Sequence, residues 1–271
     1  MNKTNYYVVW SGFIVALALS SLSVLAADSS VKQTCKDLPT HAELTTALKA
    51  VVTGGQNAGF GLNMWATIVN RDGIVCSVTF SGDDRGDQWP GSRVISAQKA
   101  NTANAFSLPG LALSTANLYS AVQPGGTLFG LQESNPVDPT VAYQGPSKNY
   151  GKPNDPMAGE KIGGVNVFGG GLALYTKDGK LVGGIGVSGD TSCTDHIIAW
   201  KIRHMLNLDN VPAGIHPTGP TTSDDNMVHD IAADSQGHPV SASGWGHPEC
   251  GGTEPATAAA LSASFPVGPN P

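Results

Sequence analysis

Charge is scarce in this chain. Asp, Glu, Lys and Arg make up 13% of its 271 residues, and 15 basic side chains face 21 acidic ones. There is no Lys/Arg cluster, so the electrostatic footprint of a nucleic-acid or anionic-lipid partner is missing. Beyond residue 27 no run approaches the ~20 apolar residues that would cross a bilayer. None of the seven histidines falls in a recognised zinc spacing. His229, His238 and His247 recur every nine residues, and a surface position is the expectation for each.

What is present begins with export. Lys3 precedes an apolar run from Tyr6 to Leu25, with small residues at Val24, Ala26 and Ala27. This predicts a signal peptide over residues 1–26, cut after Ala26. A retained anchor is the competing reading, opposed by the short apolar run and the lack of stop-transfer charges. The expected product is periplasmic or secreted, without stable membrane insertion after cleavage. Without Lys3, 14 basic residues face 21 acidic ones, a formal charge of −7. Four cysteines remain, Cys35, Cys76, Cys193 and Cys250. In an oxidising compartment an even count favours disulfides, with three possible connectivities. Cys250, in an irregular tail that would profit from a tether, is paired here with Cys193. Cys35 and Cys76 stay open, since Cys76 in a strand could equally be a buried thiol.

The 34 glycines and 18 prolines imply much turn and loop. After a linker over 27–39, Thr40-His41-Ala42-Glu43 has capping-box spacing, and Leu44, Leu48 and Val51 follow at helical intervals. Met64–Asn70 and Ile74–Phe80 read as a hairpin around Asn70-Arg71-Asp72-Gly73. Ser92–Phe106 reads as a second helix and Ser114–Val122 as a short third. Residues 131–161 form a proline-rich loop without periodicity, a pattern common in functional loops. Val165–Thr176 and Leu181–Ser188 read as the last two strands, and Ser192 with Asp195 opens a final helix. Residues 207–271 read as a Gly/Pro-rich extension with little regular structure. The order α-β-β-α-α-β-β-α predicts an α+β, profilin-like sandwich with a mostly antiparallel sheet.

The motifs are mostly structural when weighed singly. Gly184-Ile185-Gly186-Val187-Ser188-Gly189 satisfies the spacing of a dinucleotide fingerprint, but its strand is the return arm of a hairpin and no second parallel strand follows. Tight strand-to-helix packing explains it better. Asp190 stands where a nucleophile elbow needs glycine. Asp195 and His196 are adjacent on a helix and point about 100° apart, so Asp195 is read as a cap and His196 as partly exposed. Lys99, Arg85 and Arg93 are either solvated charges or cations for the carboxylates of a flat ligand. Thr127 is either a turn hydroxyl or a contact at the mouth of the long loop.

Together, Ala58-Gly59, Ile68 to Gly73, Lys99-Ala100-Asn101-Thr102-Ala103, Gly126-Thr127-Leu128-Phe129 and Gly183 to Gly189 resemble the GlcG/HbpS-type haem-binding family over roughly residues 40–206. The resemblance implies an α+β domain that forms homo-oligomers and binds haem or a related tetrapyrrole. It points first to Thr127 at the iron, with His41 as an alternative. Phe129 would pack on the macrocycle, and Lys99 and Arg85 would meet the propionates. Threonine is a weak axial ligand beside His, Cys, Met or Tyr. Relatives that also bind iron carry two glutamates before the helix-2 lysine, where this chain has Ile95 and Gln98. Two other readings stay open: an enzyme or accessory protein acting on a small organic acid or corrinoid, and a non-catalytic assembly protein.

Overall fold

The computed structural model describes residues 34–217 and 223–268. The expected signal peptide and most of the following linker lie outside them. The first helix, α1 (His41–Gly54), opens with a formed capping box. Thr40 Oγ1 accepts from the Glu43 amide, and the Glu43 carboxylate accepts from the Thr40 amide at 2.8 Å. Two backbone donors that the helix itself cannot satisfy are thereby occupied. Strands β1 (Trp65–Asn70) and β2 (Val75–Phe80) form the first hairpin, and α2 spans Ser92–Phe106. Strands β3 (Gly171–Tyr175) and β4 (Leu181–Ser188) form the second hairpin, and α3 spans Ser192–Met205.

The four strands make one antiparallel sheet in the order β2-β1-β4-β3. Alternation along β1 separates two cores. Ala66 and Ile68 join Leu44, Leu48, Ile197 and Trp200 on the α1/α3 side, whereas Trp65 and Val69 join Val94, Ala97 and Ala100 on the α2 side. A Cβ on Gly184 or Gly186 would collide with the Ala100 and Ser96 carbonyls of α2. The fingerprint-like glycines therefore set the helix-to-sheet distance. No described helix is long and apolar enough to cross a membrane.

Three boundaries differ from expectation. Ser114–Val122 is not an α-helix: only Ser120–Val122 forms a 3₁₀ turn. Ser114 and Asn117 exchange side chain-to-backbone bonds, and Thr115 Oγ1 donates to the Phe168 carbonyl, so local polar groups outcompete the helix. The run from Val165 becomes a strand only at Gly171, because Gly169 and Gly170 lie against the Ser192 and Val187 carbonyls. The N-cap of α3 is Thr191, not Ser192, and its side chain accepts from the Thr194 amide.

Both long irregular segments are docked. In the loop, Asp155 takes Arg93 Nε at 2.9 Å and the Gly151 amide at 2.7 Å, while the Arg93 guanidinium lies 3.6 Å over the Tyr150 ring. The end of the loop covers the edge of β2 through the Val75–Glu160 and Gly159–Val75 backbone bonds. In the tail, Arg203 and Asp225 form a bidentate pair at 2.7 and 2.8 Å, both fully buried. Met227, Ala258 and Leu261 enter the α1/α3 core. Short strands and short helices make up the tail's described regular structure; it is anchored at these points, while residues 232–240 between them are exposed.

Candidate functional site

Glycines lining the α2 side of β3 and β4 leave a channel in which the Lys99 side chain lies. Its Nζ donates to Asp195 Oδ2 at 2.6 Å and to the Val187 carbonyl at 3.2 Å, 4.5 Å from the centre of the Phe168 ring. The other Asp195 oxygen accepts the Gly189 and Asp190 amides, each at 3.0 Å. Asp190 in turn accepts the Phe60 and Leu62 amides at 3.0 Å and the Thr191 amide at 2.6 Å. One hydrogen-bonded chain thus runs from α2 through the start of α3 to the loop that follows α1. Burial pushes Asp195 up to about 6 against the pull of Lys99, and burial pushes Lys99 down against the pull of Asp195. Desolvation dominates at both ends, as expected of an ion pair held for its geometry.

Lys99 is consequently placed away from solvent, with its charge already matched. A ligand carboxylate would have to displace Asp195 to reach it. Asp195 is this partner rather than a helix cap, and His196 is fully buried rather than partly exposed. Arg93 is likewise committed to Asp155.

The turn at residues 126–129 has the opposite character. A Cβ on Gly126 would strike the Ala121 carbonyl, so the chain passes close to the 3₁₀ turn there. The Leu128 amide donates to that same carbonyl at 2.8 Å, and Leu128 packs with Val122 and Leu131. Thr127 and Phe129, on either side of it, are exposed, with 66% of the Phe129 surface open to solvent. A hydroxyl and an aromatic ring are therefore presented side by side on a firmly seated turn. Phe129 is one of several large apolar side chains left exposed among the described residues, with Phe60, Leu108 and Tyr143.

The remaining expected residues lie elsewhere. His41, at the first position of α1, has Nε2 2.9 Å from the Gly151 carbonyl and Nδ1 3.5 Å from Thr45 Oγ1. It ties α1 to the long loop. Arg85 is exposed in a loop held by Asp87, which accepts the Asp83 and Asp84 amides at 2.9 and 2.8 Å. Among the described residues no hydrogen bond joins any two of Thr127, Phe129, His41, Arg85 and Lys99.

A hollow lies beside the chain that follows α1. A cavity of about 280 Å³ is lined by Val52, Phe60, Leu62, Asp190, Thr194 and Ile198, among others. Its rim carries left-handed backbone at Gln56 (φ 57°) and Ala58 (φ 60°), which non-glycine residues seldom adopt. A neighbouring hollow of about 320 Å³ shares Gln56 and Ala58 and reaches Lys201, whose Nζ donates to the Gln56 carbonyl at 2.8 Å. The signal for this rim was the glycine-rich run 54–61 after the first helix.

A third group lies around the start of α3, where His247 is buried rather than at the surface. The Cys193–Cys250 disulfide is formed as expected, and no described cysteine is free. His247 packs against it, and burial pushes its imidazole down to about 4.

Residues 40–203 match the family described as "Haem degrading protein HbpS-like". Among solved structures, the PduOC–haem complex is 25% identical with a TM-score of 0.44, covering 63% of this chain and 96% of that one. The Klebsiella pneumoniae protein ORFY is 24% identical with a TM-score of 0.41, covering 61% and 88%. HbpS is 18% identical with a TM-score of 0.38, covering 62% and 89%. No curated protein sequence gives a significant match.

Proposed function

We propose that this chain, which belongs to the HbpS-like family of haem-degrading proteins, binds haem at the exposed turn formed by Gly126, Thr127, Leu128 and Phe129. The family match carries the choice of ligand, and the exposure of Thr127 and Phe129 carries the choice of place. When bound, haem supplies an iron that takes axial ligands and a flat apolar macrocycle bearing two carboxylates.

The turn fits the apolar and axial requirements. Phe129 offers a ring for stacking, Leu128 anchors the turn from beneath, and Thr127 presents a hydroxyl oxygen. The buried Lys99 does not fit the role of a propionate partner, because Asp195 already neutralises it. That role passes to exposed cations, of which Arg85 is the candidate read from the sequence.

A seat on one exposed turn leaves the opposite face of the macrocycle in water. A second copy of the chain is the simplest cover, which favours a homo-oligomer as the binding unit. An open seat also suits capture and hand-over outside the cytoplasm better than turnover in a closed pocket. Export is part of this proposal, supported by the Cys193–Cys250 bond.

Titration of the purified protein with haem, followed at the Soret band, tests the reading. The expected result is a saturable shift whose position changes in Thr127→Ala and whose affinity falls about tenfold in Phe129→Ala, the loss of ~1.4 kcal/mol of contact. Absence of a shift in the wild type defeats the ligand. A shift unchanged in both variants defeats the site.

A further inference from the structure

We infer that the disulfide fastening the C-terminal tail is one state of a redox-convertible metal site, in which reduction frees Cys193 and Cys250 to hold a zinc-like cation together with His247. The Sγ atoms of the two cysteines and a ring nitrogen of His247 all lie within 4.8 Å of one another. The distance from His247 Nδ1 to Cys193 Sγ is 3.9 Å. Two thiolates on a tetrahedral cation with metal–sulfur bonds of about 2.3 Å stand roughly 3.7 Å apart. Breaking the S–S bond therefore needs only a small separation of the sulfurs to produce ligand spacing.

The surroundings favour the thiolate form. The Sγ of Cys250 accepts the Cys193 amide at 3.3 Å and lies 3.6 Å from Ser192 Oγ, in the first turn of the 14-residue α3. Amides and the positive end of a helix stabilise a thiolate there. His247 is buried and held in place by the Gly169 amide, which donates to its Nε2 at 3.2 Å. Its Nδ1 then faces the Pro248 carbonyl at 2.8 Å and the sulfur of Cys193. For Nδ1 to hold a metal as a neutral imidazole, the ring proton moves to Nε2 and the Gly169 amide contact is given up.

A second histidine lies near: His196 is fully buried, with the Asn226 side chain against its ring. It stands three residues after Cys193 on α3, hence on the same helix face, and Gly169 lies between it and His247. The donors within reach are thus Cys193, Cys250 and His247, which leaves the fourth position of a tetrahedral cation to water; His196 lies outside the group. Only the Cys193–Cys250 pairing was legible in the sequence; His247 lies 54 positions from Cys193 and is brought to it by the fold.

In the conversion, a dithiol or phosphine reductant supplies two electrons. A dithiol also supplies the two protons and is itself oxidised to a disulfide; a phosphine becomes its oxide, with water supplying the oxygen and the two protons. The thiols then lose their protons to solvent as they bind the cation.

Cobalt(II) as a spectroscopic probe, and zinc alone, test the inference on the full chain reduced with a phosphine. The expected result is thiolate-to-cobalt charge transfer with tetrahedral-strength d–d bands at one equivalent, absent from the oxidised protein. Affinity falls at least tenfold in His247→Ala and the charge-transfer band is lost in Cys250→Ser, whereas His238→Ala, an exposed tail histidine, behaves as wild type. Zinc should also raise the Tm of the reduced protein without moving that of the oxidised one. The inference is overturned by a reduced wild type that takes up no cobalt or by bands that persist unchanged in Cys250→Ser. It is equally overturned by a zinc effect on Tm that is the same in both redox states.

Discussion

The loop 131–161 and the tail 207–268 are both long, proline-rich and poor in regular structure, yet they are attached to the sheet differently. The loop hangs on Asp155, which gathers Arg93 and the loop's own Gly151 and Met157 amides, and it rests on the edge of β2. The tail is fastened by Arg203–Asp225, by Cys193–Cys250, and by Met227, Ala258 and Leu261 in the shared core. One segment is a cover pinned mainly at Asp155; the other enters the interior at several points, with residues 232–240 exposed between them. A low-complexity appearance therefore says little about how much a segment contributes to stability.

The largest effect that separates them should come from the two arginines. Arg203→Ala leaves Asp225 charged and buried without a partner, and is expected to cost about 3–5 kcal/mol in global denaturant unfolding. Arg93→Ala should release the loop first, read as faster hydrogen exchange over residues 139–161 with a smaller shift of the global midpoint. Equal global losses in the two variants would erase the distinction. Next in size is Cys250→Ser, expected to cost about 2–4 kcal/mol and to speed exchange in the tail while the loop stays protected.

The smallest effect concerns the point where the tail leaves the sheet. The Tyr175 amide donates to the Leu208 carbonyl at 2.8 Å, and its hydroxyl donates to the Leu108 carbonyl at 2.7 Å. Burial, aided by the Asp225 charge, raises the pKa of this phenol well above its usual value. The fold holds the neutral form, so this stabilisation is complete below ~10 and is lost as pH rises further, when the unfolded chain sheds a proton that the folded one keeps. Stability should fall by up to about 1 kcal/mol per pH unit in that range, and Tyr175→Phe should flatten the slope. An unchanged slope in Tyr175→Phe would assign the alkaline loss to other groups.

The sequence carried the fold wherever the determinants were local. The capping box at Thr40, the span of α2 and the last strand Leu181–Ser188 agree with the structure because each rests on neighbours a few residues away. Ser114–Val122 misled because helical spacing was present while Ser114, Thr115 and Asn117 could satisfy the backbone by other means. Lys99 reads on a helix as an available cation. Its partner Asp195 is 96 positions away, and only the packing of α2 across the glycines of β4 brings them together. The candidate site divides in the same way: Thr127 and Phe129 are placed by their own turn, whereas the imidazoles around Cys193 are assembled from the helix and the tail.

The stretch matched to the family closes at residue 203, and Arg203 is also the residue that grips the tail. Two of the attachment points lie on one helix, α3, with Cys193 in its first turn and Arg203 in its last. Others lie outside it, where Ala112, Asn117, Ser120 and Gly169 donate to Ala213, Asn226, Gly246 and His247. For protein engineering this makes the tail a poor portable module: a chimera would need the receiving strand and turn as well as the helix.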